Sequence, residues 1–109
     1  MSLGIQNTMW EKVFRKNPAV VSRKIAGELF LVPVKGNLAD MQRLFALNAS
    51  GEFIWQEIDG QKRLEEIRSS LMDNFNVTSE AAETDIHEFI TELLREDLAS
   101  ELPDSRDNK

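Results

Sequence analysis

The chain has 109 residues, 41% hydrophobic and 29% charged, with a net charge of −6, one His and no Cys. That is the length of one domain with a real core, and it excludes disulfides, thiolate zinc sites and cysteine nucleophiles. With no apolar run of about 18 residues and no secretory-signal pattern, a cytoplasmic protein without a membrane segment is expected.

Residues 1–36 hold six Lys or Arg against two Asp or Glu, whereas residues 37–109 hold seven against seventeen. Nucleic-acid binding needs a basic footprint, and the acidic larger part has the wrong sign for one.

Residues 1–17 read as a polar N-terminal arm whose apolar residues, Ile5, Met9, Trp10, Val13 and Phe14, fall at roughly helical spacing; loose packing is expected. After Pro18, residues 19–26 alternate, with Val21, Arg23 and Ile25 on one face and Val20, Ser22 and Lys24 on the other. Gly27-Glu28 reads as a tight connection into residues 29–34, so the two segments form a β-hairpin. Pro33 cannot donate to a ladder and belongs at the strand's end or on an open edge. Gly36-Asn37 signals a turn, and residues 41–47 return as a third strand of a meander.

The stretch 44–60, LFALNASGEFIWQEIDG, runs from that strand directly into a short helix. Asn48 is suited to cap it, because its side-chain oxygen accepts a backbone N–H left unpaired by the first turn. Gly51, Ile54, Trp55 and Ile58 recur at helical spacing, and Asp59-Gly60 supplies the stop. A second helix follows with Leu64, Ile67, Leu71 and Phe75 on one face. Residues 74–78 connect it to a third, capped by Thr78 or Ser79, whose stripe of Ala82, Ile86, Phe89, Ile90, Leu93 and Leu94 is wider than one neighbour requires. Leu98 and Leu102 close the core before a charged tail, residues 103–109, that is expected to fray.

Few residues suggest chemistry. His87 is the one imidazole and reads as a surface residue of the third helix. Asp85, Glu88 and Glu92 share a helix face, either simply solvated or an electrostatic surface for a basic partner. Trp55 is a core anchor rather than a stacking platform with Phe53. No phosphate-binding loop, nucleophile motif or metal constellation is present, so an enzyme is not expected.

Taken together, Pro18, Val20, Arg23 and Gly27, then LFALN, then Gly51, Ile54-Trp55 and Asp59-Gly60, then Leu64, Ile67 and Leu71, and lastly Asp85, Phe89 and Leu93, resemble the pattern of the PqqD family. The resemblance covers about residues 18–102, and its most specific part is residues 48–60. It implies an α+β, winged-helix-like domain with a three-stranded antiparallel sheet followed by three helices. It also implies a non-catalytic peptide chaperone for pyrroloquinoline quinone or related modified-peptide biosynthesis. Such a protein binds the leader of a ribosomally made precursor peptide as an added β-strand and presents it to a radical-SAM maturase. No cofactor, metal, nucleic acid or membrane is implied, and a monomer or weak homodimer is expected.

The resemblance also implies a peptide site between third strand and third helix, here on Arg43, Leu44, Phe45, Ala46 and Leu47 and on Asp85, Glu88, Phe89 and Glu92. Where relatives often carry Gly after the last helix, this chain has Asp97. The same order of elements also builds a winged-helix DNA-binding regulator, the second reading, and a structural subunit of an enzyme complex is a third. A DNA-reading helix should expose Arg, Lys, Asn or Gln, whereas this one offers Asp85, Glu88, Glu92 and Glu96.

Overall fold

The computed structural model describes residues 9–34 and 44–103. Among them the order is β1 (Val13–Lys16), β2 (Val20–Ile25), β3 (Glu28–Pro33), β4 (Phe45–Leu47), α1 (Ala49–Glu57), α2 (Leu64–Phe75), α3 (Ser79–Arg95) and β5 (Ala99–Leu102). This is the expected α+β, winged-helix-like arrangement: the antiparallel sheet β2-β3-β4 followed by three helices. A second sheet, β1-β5, is added to it.

The hairpin turns on Ala26 and Gly27, at φ +53° and +86°. That is one residue earlier than the expected Gly27-Glu28 connection, because Glu28 already pairs with Ile25 and both central residues of such a turn need positive φ. Pro33 is the last residue of β3, where its missing N–H breaks no ladder. Leu29 and Leu31 point from β3 to the helices and are buried. The register Leu29↔Leu47 and Leu31↔Phe45 sets Phe45 and Leu47 on that same face. Of the expected third strand, residues 41–43 lie outside the described residues.

Asn48 has extended backbone, and its Oδ1 accepts the Gly51 N–H at 2.8 Å, so the strand-to-helix switch happens at the expected cap. Gly51, Ile54, Trp55 and Ile58 are all buried. Gly60, at φ +81°, turns the chain, and Asp59 Oδ1 accepts the N–H groups of Gln61 and Lys62, each at 2.9 Å. Leu64, Ile67 and Leu71 of α2 are buried, and Asn76, at φ +53°, ends that helix. Thr78 rather than Ser79 caps α3, its hydroxyl accepting the Ala81 N–H at 3.1 Å. Ala82, Ile86, Ile90 and Leu93 enter the core, while Phe89 stays half-buried and Leu94 is 44% exposed.

The expected looseness of the arm does not hold for residues 9–17. Val13 and Phe14 are buried, and β1 pairs antiparallel with β5 from Val13↔Leu102 to Lys16↔Ala99. The carbonyls of Phe14 and Lys12 accept the N–H groups of Gly60 and Leu64, each at 3.0 Å, and Asn17 N–H donates to Leu98 O at 2.9 Å. The arm thus ties the α1–α2 loop to the end of α3. Its partner lies at the far end of the chain, and four residues are too few to show a strand period. The folded unit therefore begins before residue 18. Leu98 is buried and Leu102 half-buried, as expected of residues that close the core, while residues 104–109 of the tail lie outside the described residues. Among the described residues no helix is long and apolar enough to cross a membrane.

Candidate functional site

Among the described residues β4 is the terminal strand of its sheet, and it leads straight into α1, with α3 beside that junction. Between β4 and α3 lies a groove of about 350 Å³. Leu44, Phe45, Ala46 and Leu47 form one wall, Phe89, Glu92 and Leu93 the other, and the buried Leu31 and Leu98 underlie it. Leu44 is 57% exposed, so an apolar side chain stands at the groove's mouth with water around it. Asn48 marks the end where β4 stops.

Past Asn48 and Phe89, which both spaces share, a smaller hollow of about 190 Å³ is lined by Ser50, Gly51, Asp85 and Glu88. Gly51 opens it, since a Cβ there would come within 3.4 Å of the Phe89 ring. The Glu92 carboxylate takes a hydrogen bond from Arg95 at 2.7 Å, which reduces the charge it offers the groove. Asp85 and Glu88 are exposed and make no ion pair among the described residues. Lys24 of the hairpin pairs with Glu52 and fixes β2 against the first turn of α1.

Six of the residues singled out from sequence, Leu44, Phe45, Ala46, Leu47, Phe89 and Glu92, meet in the groove. Asp85 and Glu88 line the adjoining hollow instead, because they sit on earlier turns of α3. Arg43 lies outside the described residues. Sequence reasoning missed Leu31 and Leu98, whose contribution comes from packing beneath the groove, and read Asn48 as a cap alone. Among the described residues no polar or charged side chain is buried, and no cluster of three or more His, Cys, Asp or Glu stands ready for a metal ion. Apolar walls, a strand at the sheet's end and acidic groups at one exit suit the docking of an extended chain.

A small sheet whose last strand feeds a three-helix unit, with a groove between that strand and the third helix, defines a winged-helix-like domain. The model of the family described as Coenzyme PQQ synthesis protein D (PqqD) matches residues 28–99, and the chain belongs to that family. No curated protein matches the sequence. Among solved structures, TbiB1 in complex with the TbiA(beta) leader peptide is 28% identical with a TM-score of 0.66, covering 83% of this chain and 99% of its own. Lasso peptide synthetase B1 complexed with the leader peptide shares the fold at 21% identity and a TM-score of 0.64, covering 83% and 98%.

Proposed function

We propose that this chain is a recognition element for the leader of a ribosomally made precursor peptide. The leader adds as a strand along β4 and places its apolar side chains in the groove against α3. The observation that carries this reading is the placement of β4: the last strand of its sheet, facing Phe89 and Leu93 across an apolar groove. Support comes from a structural neighbour, 28% identical over nearly its whole length, that holds a leader peptide. Strand addition draws affinity from the backbone and specificity from side-chain pockets. The contacts are Leu44, Phe45, Ala46 and Leu47, with Arg43 preceding them, and Phe89 and Glu92 from α3, with Asp85 and Glu88 beyond.

The chain holds and presents, and a separate maturase does the chemistry, a radical-SAM enzyme of the kind that acts in quinone-cofactor or related peptide pathways of the cytoplasm. In support of a non-catalytic role, the groove walls carry apolar side chains and a single carboxylate, already bonded to Arg95. A DNA-binding role is disfavoured by the exposed side of α3, which carries Glu80, Asp85, Glu88 and Glu92 where phosphate contacts would need base.

Amide NMR during titration with a synthetic precursor leader peptide tests the reading. Shifts are expected at residues 44–47 and 85–93; shifts confined to β2 or α2 would overturn the proposed groove.

A further inference from the structure

Resting on the reading that a peptide pairs with β4, we infer that its site continues around the start of α1 into a separate apolar pocket formed by Leu71, Phe75 and Val77. That pocket takes a bulky apolar side chain of the same peptide, and a Lys or Arg between the two segments lies over Asp85 and Glu88.

The spaces form one track. The groove shares Asn48 and Phe89 with the acidic hollow, and the hollow shares Asn48, Ser50 and Asp85 with a further pocket of about 300 Å³. Direction follows from the elements. β4 ends at Asn48, and the stretch of α3 beside it runs back from Glu92 through Phe89 to Asp85, so a chain laid on β4 leaves it directly onto the hollow.

The far pocket is apolar and formed in advance. Leu71 is buried, while Phe75 and Val77 are half-buried at the end of α2 and in the α2–α3 connection. The Phe75 ring is held edge-on to Phe53, 5.6 Å between centroids, so little side-chain freedom remains to be lost when a ligand enters.

The hollow between the two apolar ends asks for a cation. Asn48 Oδ1 is already engaged by the Gly51 N–H and by the Ser50 hydroxyl at 3.2 Å. The carboxylates of Asp85 and Glu88, without ion pairs among the described residues, are the charged acceptors of the hollow. The track thus reads apolar, acidic, apolar, and it fits a peptide with an apolar extended core, a basic residue, and a bulky apolar residue beyond.

Selection of a displayed random-peptide library on the full chain tests this, using wild type, Val77→Asp, the double variant Asp85→Lys/Glu88→Lys and Leu44→Asp, each first checked for a native circular-dichroism melt. Wild type should enrich an apolar core followed, on one constant side, by Lys or Arg and then a bulky apolar residue. Val77→Asp should keep core and base but lose the outer apolar residue, and the double Lys variant should exchange the base for an acid. A wild-type pool showing the core alone, or a Val77→Asp pool identical to wild type, overturns the extension and leaves the β4 site standing. A wild-type pool with no enrichment, or one unchanged by Leu44→Asp, overturns the β4 site and the extension together.

Discussion

Phe89 packs on Gly51 so closely that a Cβ added to the glycine would meet Phe89 Cε1 at 3.4 Å and Asn48 Oδ1 at 3.0 Å. α1 contributes no side chain at this contact, so the Phe89 ring lies directly on its backbone, and the same ring walls both the groove and the hollow. Gly51→Ala gains about 0.5–1 kcal/mol of helix propensity, but crowding a filled site costs about 1–3 kcal/mol. Because Asn48 is held by its capping bond, a net loss of about 1 kcal/mol is expected in urea denaturation. A midpoint at or above wild type would show that Asn48 and Phe89 give way easily.

Trp55 is 4% exposed and lies in the core with Ile54, Ile58 and Ile86, and the Lys16 ammonium stands 5.3 Å from its ring centre. Trp55→Ala should cost about 3–5 kcal/mol, as for other large buried aromatics. Calorimetric melting measures it. An unchanged melt with lost peptide binding would make Trp55 a contact residue rather than a core anchor.

α3 ends with Asp97 N–H donating to Leu94 O at 3.2 Å and Leu98 N–H to Leu93 O at 2.8 Å, with Asp97 at φ +61°. This is a Schellman ending, and its left-handed position favours glycine. Asp97→Gly should therefore raise stability, by up to about 1 kcal/mol, since the contact from Asn17 Nδ2 goes to the Asp97 backbone carbonyl and survives the change. A lower melting temperature would show that the aspartate side chain itself contributes.

Asp59 predicts an acid-side loss of stability. Partial burial works against its ionisation, but the N–H groups of Lys62 and Gln61 and the Lys62 ammonium outweigh this and hold its pKa below the usual carboxylate value. A pKa lowered on folding contributes stability that is complete above the unfolded value of about 3.9 and is lost as pH falls through the folded one. Asp59→Ala should be less stable than wild type at neutral pH, and the difference should shrink below about pH 4. A difference constant down to the acid limit would rule out the carboxylate's charge as its source.

Leu44 is exposed, so Leu44→Asp should leave stability within about 0.5 kcal/mol of wild type. Leader affinity should fall by about tenfold or more, roughly 1.4 kcal/mol, because the change puts a charge in an apolar wall. Titration calorimetry reads both enthalpy and affinity; equal affinities would remove Leu44 from the site.

What the sequence determined by itself is local. The meander, the Asn48 cap, the Asp59-Gly60 stop and the apolar faces of all three helices are each set by neighbours within a few residues, through period, capping oxygen or a residue tolerant of positive φ. The strand entering a helix at Leu44–Leu47 and the over-wide stripe with Phe89 were legible for the same reason, while their pairing as a site was what the family resemblance implied. The tertiary structure decided what depends on distant partners. β1 became a strand only because β5, at the opposite end of the chain, pairs with it and buries Val13 and Phe14. Asp85 and Glu88 stand apart from Glu92, although all share one helix side, because they sit on earlier turns of α3, beyond the Phe89 ring that packs on Gly51 and borders both spaces. The pocket at Leu71, Phe75 and Val77 forms because the start of α1 and the end of α2 converge beside α3, a juxtaposition that side-chain packing sets and local periodicity does not encode.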